Sequence, residues 1–386
     1  MITIRRQLLG LGLVAASSLL ALHTAHAMSG PTAITIDGGP LGSLNLSGGA
    51  DGYVYGLAGI NSSQQTVGAN IGSALIDLSK TTGEVQFNIE VGSNSFQTLG
   101  ALSFDKHGHI NETSVSTFST GPLFVGTITI APPNSPVTVT AGQMQSLEGY
   151  ESTVDWANPS QLSTDIFFVQ NSNAVGVEAA LTEGPLVVTV QFGDGFDTGV
   201  WNYLQGLATY TINSDNVANV YGAVNLGRTG PGTFAYNGGT NGFGNAYVNS
   251  NVVGAFYSYT MGNLNLIPEA QYVWAKTDHI IGIDKTTSNA AGALFGTYAF
   301  GTSPYSIGGW VEFEKSQGNF DWFVGPESEA IGAAVSPTWQ YKDLFARANA
   351  GAIYLLQNKA FSTASYGSDG TGKFQFIGTL EGGVLF

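Results

Sequence analysis

Side-chain polarity alternates from one residue to the next along several segments of this chain. In Glu84–Val91 every second residue is apolar, and the residues between them are Glu84, Gln86, Asn88 and Glu90. Successive side chains of a β-strand point to opposite faces, so this pattern predicts a strand with one apolar and one polar wall. Leu264–Trp274, Leu344–Leu356 and the last eleven residues, 376–386, show the same alternation.

Thirteen further segments have the composition of strands. Together with the four above they give seventeen candidates, and many are about 9–11 residues long, the length that a tilted strand needs to cross a bilayer. The additional segments are Leu44–Gly56, Ser73–Lys80, Leu123–Ala131, Val137–Gly142, Asp165–Gln170, Val175–Leu181, Leu186–Phe192, Trp201–Ile212, Val217–Gly227, Val252–Met261, Ala291–Phe300, Ser306–Lys315 and Ile331–Trp339.

The composition indicates a membrane protein without membrane helices. Charged residues make up 10% of the chain, whereas soluble domains usually contain about 25%. After residue 27 no apolar run approaches the roughly 18 residues of a transmembrane helix. In lipid every backbone polar group needs a partner within the protein, which leaves a closed β-barrel. We therefore predict one transmembrane, antiparallel, up-and-down β-barrel of about 12–18 strands, with 16 as the central value because bacterial barrels have even strand numbers.

A soluble β-sandwich is the alternative fold, because its strands also alternate apolar and polar residues. Two features disfavour it. Aromatic residues cluster on the apolar faces and near strand ends, where a barrel places its interfacial girdles. The few charges are also too sparse for a fully aqueous surface. The aromatic residues concerned are Tyr257, Tyr259, Tyr272, Trp274, Tyr298 and Tyr354.

The N-terminal residues predict export. Arg5 and Arg6 precede an apolar run, Leu8–Leu22, and the small residues Ala25 and Ala27 fit a signal-peptidase site. We expect residues 1–27 to be a cleaved signal peptide and residues 28–386 to form the barrel domain; a retained N-terminal anchor is the alternative. Cleavage changes the net charge from −15 to −17, since the segment contains two basic and no acidic residues. Such a polyanion is unsuited to nucleic-acid binding.

The connections between the predicted strands differ in length. The stretch 131–136 and the stretch 261–263 predict tight turns, whereas 229–250, 277–289, 316–329 and 358–373 predict long loops. Short periplasmic turns and long extracellular loops are typical of bacterial barrels. The segment Ser93–Thr120 is compatible with strands, with a constriction loop folded inwards, or with an extracellular loop.

The chain resembles the OmpL-like β-barrel porin family along most of its length, from about residue 44 to the end. The resemblance implies an outer-membrane channel, monomeric or a small homo-oligomer, and implies no catalytic residues. One departure concerns the strand around 310–314, where the family tends to carry an arginine and this chain carries Glu312 and Glu314. The matching stretches are Ala141–Gly149, Phe192–Asp197, Ile267–Tyr272 and Gly378–Phe386.

The polar faces of the predicted strands supply the ionisable residues that we expect to line a pore. A charge on the lipid face is costly, so charged residues within strands should point inwards, and rings of carboxylates favour cations. A weakly cation-preferring pore is one interpretation; the alternative is that these carboxylates sit at the rims or pair with Arg347 and the few lysines. The candidates are Glu90, Glu178, Glu269, Glu312, Glu314, Arg347 and Glu381.

No motif predicts catalysis, a cofactor or a metal site. His107 and His109, with Asp105 and Glu112 nearby, do not have the spacing of a structural zinc site, and solvated loop histidines are the simpler interpretation. The pairs Glu148/Glu151 and Asp194/Asp197 could in principle do acid–base chemistry. Their sequence context favours solvated loops, with a turn at Asp194–Asp197.

Two functions remain, both in the bacterial outer membrane. The first is a channel for passive diffusion of small hydrophilic solutes or ions. The second is a barrel that anchors surface loops for adhesion or envelope structure, with a plugged or narrow lumen. In either case we expect two partners, outer-membrane lipid and the barrel-assembly machinery, which would recognise the C-terminal strand that ends at Phe386.

Overall fold

The fold was determined from a computed structural model. The described residues are 28, 30–60, 66–100, 118–120, 122–171, 173–230, 245–318, 322, 327–358, 366–367 and 371–386. Among them, no helix combines the length and the apolar character that crossing a membrane requires. The predicted signal peptide and the histidines His107 and His109 lie outside the described residues.

Sixteen antiparallel strands form the wall of the molecule, in the order in which they follow one another along the chain. They are β1 (Ser43–Ala58), β2 (Val67–Lys80), β3 (Val85–Thr98), β4 (Leu123–Ile130), β5 (Val137–Gln145), β6 (Asn173–Glu183), β7 (Leu186–Asp194), β8 (Trp201–Asn213), β9 (Asn216–Asn225), β10 (Asn251–Met261), β11 (Leu264–Ala275), β12 (Thr287–Ala299), β13 (Tyr305–Gln317), β14 (Ser328–Tyr341), β15 (Leu344–Asn358) and β16 (Phe374–Leu385).

The sheet closes on itself, because β16 pairs with β1 from Phe376↔Ala58 to Leu385↔Gly49. The terminal residue continues the ladder: the Phe386 N–H donates to the Gly48 carbonyl at 2.9 Å, and the Gly48 N–H donates to the Phe386 carbonyl at 2.8 Å. Closure removes the two free edges that an open sheet would expose to lipid. The predicted fold class and the central strand number of 16 are confirmed.

Smaller elements complete the chain. Three short strands lie outside the numbered set: Ile34–Asp37 pairs with β1, Phe118–Thr120 pairs with β3 ahead of β4, and Leu162–Ser163 pairs in parallel with the end of β3. The helices are single turns: α1 (Asp165–Phe168), α2 (Asn245–Val248) and the 3-10 turns Gly39–Leu41, Asp155–Ala157, Gly195–Asp197 and His279–Ile281.

The predicted faces of the strands are confirmed. In β16, Leu380 and Val384 face outwards, whereas Gln375, Thr379 and Glu381 are buried in the interior. The same division holds in β11, where Tyr272 is exposed and Gln271 is buried. Apolar side chains thus cover the outside of the barrel, and polar side chains alternate with them on the inside, as a transmembrane barrel requires.

Outward-facing aromatic pairs mark the two ends of the barrel. Near the long loops, the Tyr272 and Trp274 rings stack with 5.5 Å between their centroids. Near the short turns, Tyr298 and Phe300 meet edge-to-face at 5.2 Å, and Trp339 stacks on Tyr341 at 6.4 Å. Aromatic rings at two levels match the interfacial girdles of outer-membrane barrels.

Sixteen of the seventeen predicted strand segments are strands, and one prediction is wrong. Asp165–Gln170 is not a strand: Asp165–Phe168 forms α1 inside the barrel. Thr164 begins this helix, because its hydroxyl oxygen accepts the Phe167 N–H at 3.3 Å. The segment Ser93–Thr120 contains the end of β3 and the short strand Phe118–Thr120, and residues 101–117 lie outside the described residues.

The outer wall generates a prediction that depends on membrane depth. Leu380 lies near the middle of β16 and is 64% exposed, whereas Leu344 begins β15 at the short-turn end and is 54% exposed. We expect Leu380→Arg to destabilise the barrel in lipid vesicles, lowering its free energy of unfolding by about 2–4 kcal/mol. Leu344→Arg should lower the same free energy by only about 0–1 kcal/mol. Denaturant titration of both variants measures the difference, and equal losses would contradict the assigned lipid face.

Candidate functional site in the barrel interior

The connection between β5 and β6 does not extend into the medium but turns into the barrel. We call residues Ser146–Asn171 the inner loop. It begins against β8, where the Ser146 hydroxyl and the Leu147 N–H both donate to the Gln205 side-chain oxygen, at 3.1 and 2.9 Å. It crosses the interior to β15, β16 and β1, and then returns by way of α1 to β11 and β13.

Apolar side chains explain why this loop leaves water. Leu147, Leu162, Ile166 and Val169 of the inner loop are almost fully buried. They belong to one cluster with inward-facing wall residues, among them Tyr203, Phe295, Trp310 and Ile353. The Tyr150 ring lies 4.9 Å from the Phe295 ring. Burial of such side chains stabilises the loop by about 1.5–3 kcal/mol each.

Two glycines of the inner wall make room for the loop. A Cβ at Gly308 would overlap the Pro159 carbonyl, and a Cβ at Gly351 would lie 2.5 Å from Leu162 Cδ1. Real Cβ atoms do not approach other atoms this closely, so larger residues at these positions would push the loop away from the wall. The wall is therefore shaped for this loop.

Neutral hydrogen bonds hold the middle of the loop. The Thr379 hydroxyl donates to the Gln161 side-chain oxygen at 2.7 Å, and the Gln161 N–H donates to the Asn349 side-chain oxygen at 3.2 Å. The Trp310 indole N–H donates to the Leu162 carbonyl at 2.6 Å. Partners separated by more than 100 residues are thus joined across the lumen.

Arg347 fixes the loop through a buried ion pair. Its Nε and Nη2 donate to the two Glu381 carboxylate oxygens at 2.8 and 3.1 Å, and both side chains are fully buried. The two residues face each other on β15 and β16. The same guanidinium donates to the Asn158 and Asp155 carbonyls at 3.0 and 3.1 Å. Its planar set of donors therefore clamps one turn of loop backbone to the wall.

The wall carboxylates of β11 and β13 bind the loop rather than lining an open space. Glu269 accepts the Tyr150 N–H at 3.3 Å and the Tyr221 hydroxyl at 2.7 Å. Glu312 accepts the Asp165 N–H at 2.8 Å. Glu314 accepts the Asn289 side-chain amide at 2.7 Å.

The loop carboxylates are also enclosed, which changes their protonation. Burial raises the pKa of Glu151 to about 8, although the Thr164 hydroxyl and N–H donate to it. Burial likewise raises the pKa of Glu148 to about 7 and that of Asp165 to about 7. Glu151 is then mostly neutral at pH 7, which weakens its repulsion from Glu269.

The inner wall from β4 to β7 has a different character. Among the described residues, the polar side chains of these four strands make no hydrogen bond to the inner loop. Thr129 bonds Thr140 at 2.8 Å within the wall itself, and further along the wall Thr209 bonds Asn219 at 2.8 Å. The inward-facing carboxylates of this region are Glu178 and, at the end of β7, Asp194, while Glu90 lies on neighbouring β3.

The seven predicted pore-lining residues all lie on the inward face of the strands. They do not form one ring. Among the described residues, Glu90 and Glu178 make no hydrogen bond to the inner loop. Glu269, Glu312, Glu314, Arg347 and Glu381 hold the loop, and the pairing of Glu381 with Arg347 is the alternative that the sequence left open. Their role in the pore stays a prediction.

The prediction that the carboxylate pairs are solvated was wrong for three residues. Glu148, Glu151 and Asp194 are buried. The inner loop itself was not predicted, although one signal was present. Between β5 and β6 a long connection contains many large apolar residues and no lysine or arginine, which is unusual for a loop in water. Asp194–Asp197 does turn, as a 3-10 turn after β7.

Comparisons with known proteins agree with this geometry. The model of the family described as putative beta-barrel porin-2, OmpL-like, matches residues 43–386. No curated protein matches the chain.

Three solved structures are similar in fold. An anion-selective porin from Comamonas acidovorans has a TM-score of 0.58 at 12% identity, covering 89% of this chain and 99% of that one. OmpT of Vibrio cholerae, in its trimer form, has a TM-score of 0.56 at 9% identity, covering 89% of this chain and 99% of that one. OmpF of Salmonella typhi, in complex with daunomycin, has a TM-score of 0.55 at 11% identity, covering 92% of this chain and 100% of that one.

The Arg347 clamp predicts how the loop can be released. In Arg347→Gln, Glu381 loses its buried cation, and two loop carbonyls lose their donor. Removing one partner of a buried ion pair costs about 3–5 kcal/mol, and each 1.4 kcal/mol is about tenfold in an equilibrium. We expect chymotrypsin to cleave the inner loop at least about 100-fold faster than in the wild type.

Arg228→Gln is the matched control, because Arg228 forms an exposed ion pair with Asp278 in other loops. Its cleavage rate should equal that of the wild type. Wild-type protection of the loop in Arg347→Gln would show that the clamp does not hold it.

Proposed function

The chain belongs to the OmpL-like β-barrel porin family, and from that premise we propose that it lets small hydrophilic solutes and ions diffuse passively across the bacterial outer membrane. A sixteen-stranded barrel is wide enough for a water-filled lumen, whereas an eight-stranded barrel is filled by its own side chains. The inner loop occupies part of this lumen and narrows it. Substrate passage then depends on the space between the loop and the opposite wall.

One observation supports a wet path along β3–β7. Several buried polar atoms on this wall have no hydrogen-bond partner among the described residues. A buried polar group without a partner costs about 1–3 kcal/mol, and a hydrogen bond to entering water or to a solute hydroxyl would remove that cost. The atoms are Gln86 Oε1, Asn88 Oδ1, Glu90 Oε1 and both polar atoms of the Gln191 side chain.

We further propose a weak preference for cations. Glu90 and Glu178 face this path, and the one arginine buried in the described interior, Arg347, is already neutralised by Glu381. Carboxylates on a narrow path attract cations and repel anions. The Comamonas porin is described as anion-selective, but the shared fold does not determine which side chains line the path.

The selectivity proposal predicts the behaviour of the double variant Glu90→Gln/Glu178→Gln. We expect its cation-to-anion permeability ratio in planar bilayers to fall towards or below one, while single-channel conductance remains measurable. Asp278→Asn is the control, because it removes one carboxylate from an exposed loop. A larger shift in this control than in the double variant would assign the field to the loops, and anion preference in the wild type would refute the proposal.

Conductance also separates the two functional classes. A barrel that only anchors surface loops has the same fold but conducts no ions. Refolded protein that shows heat-modifiable migration on a gel, yet no channel activity in a planar bilayer, would favour the anchor.

We propose that Phe386 forms part of the signal by which the assembly machinery recognises the last strand. This residue directly follows β16 and continues its pairing with the first strand at Gly48. Phe386→Ala should lower the amount of heat-modifiable protein in the outer membrane, whereas Val384→Ala, on the outer face of the same strand, should have a smaller effect. Wild-type assembly of Phe386→Ala would contradict this role.

Two further proposals concern processing and assembly. We propose cleavage after Ala27, which the mass of the purified mature chain tests, since it should begin at Met28.

We also propose a homo-oligomer, because the similar OmpT structure is described in a trimer form. Light scattering in detergent tests this, and a monomer mass would refute it.

A further inference from the structure

Three carboxylates from separate parts of the chain meet where the inner loop touches the closure of the barrel. Asp51 lies on β1, Asp155 on the inner loop and Glu381 on β16. Each offers an oxygen atom, and these atoms lie within 4.8 Å of one another. All three residues are buried. We call them the acid triad.

A local irregularity of the sheet brings the acid triad together. The register of β1 and β2 shifts between Ala50 and Gly52, as in a β-bulge. The shift turns the Ser73 N–H inwards, where it donates to both Asp51 oxygens at 3.2 Å. Gly72 leaves the space open, because a Cβ there would overlap the Asp51 carboxylate and lie 2.6 Å from Asp155 Oδ2.

The charges at this place do not balance. The triad carries three negative charges when ionised, and Arg347 is the only cation that pairs with it among the described residues. Two negative charges remain, which is the charge that one divalent cation neutralises. Burying uncompensated charge is expensive, so the triad needs either a bound cation or a proton shared between two of its carboxylates.

One oxygen atom of the triad has nothing to bind. Asp155 Oδ1 accepts the Ser73 hydroxyl at 3.0 Å and the Trp156 N–H at 2.9 Å. Asp155 Oδ2 has no hydrogen-bond partner among the described residues, although Asp155 is only 1% exposed. This oxygen points at the same space beside Gly72 as the Asp51 carboxylate does. A cation between the carboxylates would satisfy this oxygen and the facing Asp51 carboxylate together.

We propose that Asp51, Asp155 and Glu381 bind a divalent cation of the calcium class, which ties the inner loop to the first and last strands. Calcium takes oxygen ligands, carboxylates above all, in flexible geometry, and water completes its coordination. Glu381 accepts three hydrogen bonds, from Arg347 and Asn349. A carboxylate has about four lone-pair sites, so one remains for the ion. The bound ion replaces repulsion between loop and wall by attraction.

Calcium titration of refolded, lipopolysaccharide-free, chelator-treated protein tests the site. We expect calorimetry to show one Ca²⁺ per chain, and Tb³⁺ to give luminescence sensitised by Trp156, which Ca²⁺ then displaces. Asp51→Asn and Asp155→Asn keep the side-chain shape and remove one ligand charge each. Both should weaken Ca²⁺ binding by about tenfold or more, because ligand charge sets calcium affinity.

Asp194→Asn is the matched control, since Asp194 is a buried carboxylate of β7 that accepts the Val175 and Gly199 N–H groups and lies outside the triad. Its calcium affinity should stay near that of the wild type. The site is refuted if the wild type binds no Ca²⁺ at millimolar concentration, as expected if Asp51 and Asp155 share a proton instead. Binding that survives in both triad variants, or is lost only in Asp194→Asn, also refutes it. The wild-type titration remains decisive even if a triad variant fails to refold.

Discussion

The pairing of the last strand with the first is the constraint on which the rest of the structure depends. Lipid offers no hydrogen-bond partner to a free strand edge, so the sheet is stable in a membrane only when β16 meets β1. The register of that seam also fixes the interior. It sets Asp51 opposite Gly383 and Glu381 opposite Tyr53, while the neighbouring ladder sets Arg347 opposite Glu381. The position of Arg347 and Glu381, which bind the inner loop, is therefore set by the pairing that closes the barrel.

Strand faces could be predicted from the sequence because they are local. A period of two needs only neighbouring residues, so the inward position of Gln271 or Glu381 follows from the residues beside it. Asp165–Gln170 shows the limit of this reasoning. Its run of Ile166, Phe167, Phe168 and Val169 suits a buried strand as well as a buried helix, and periodicity cannot separate the two in so short a segment. Among the described residues no strand pairs with this segment, and it forms a single helical turn instead.

The partners of the interior residues could not be predicted, for a physical reason. The contact between the Asp165 N–H and Glu312 joins residues 147 positions apart. It exists because closure brings the inner loop to β13, and no local pattern encodes that meeting. The alternating pattern thus predicted seven ionisable residues on the inner wall. It did not distinguish Glu269, which hydrogen-bonds the loop, from Glu178, which makes no hydrogen bond to it among the described residues. The apolar content of the inner loop was the one local signal of burial.

The interior consequently has two unlike sides. From β8 through β16 to β2 the wall carries glycines, large apolar residues and charges, and these seat the loop by close approach and buried polar contacts. From β3 to β7 the wall carries threonine, asparagine and glutamine side chains and few carboxylates, and several polar atoms of these side chains lack a partner among the described residues. The loop is thus attached mainly to one side of the interior. Because acids and their donors make many of these attachments, we expect the position of the loop to depend on the charge balance at Arg347 and at the acid triad.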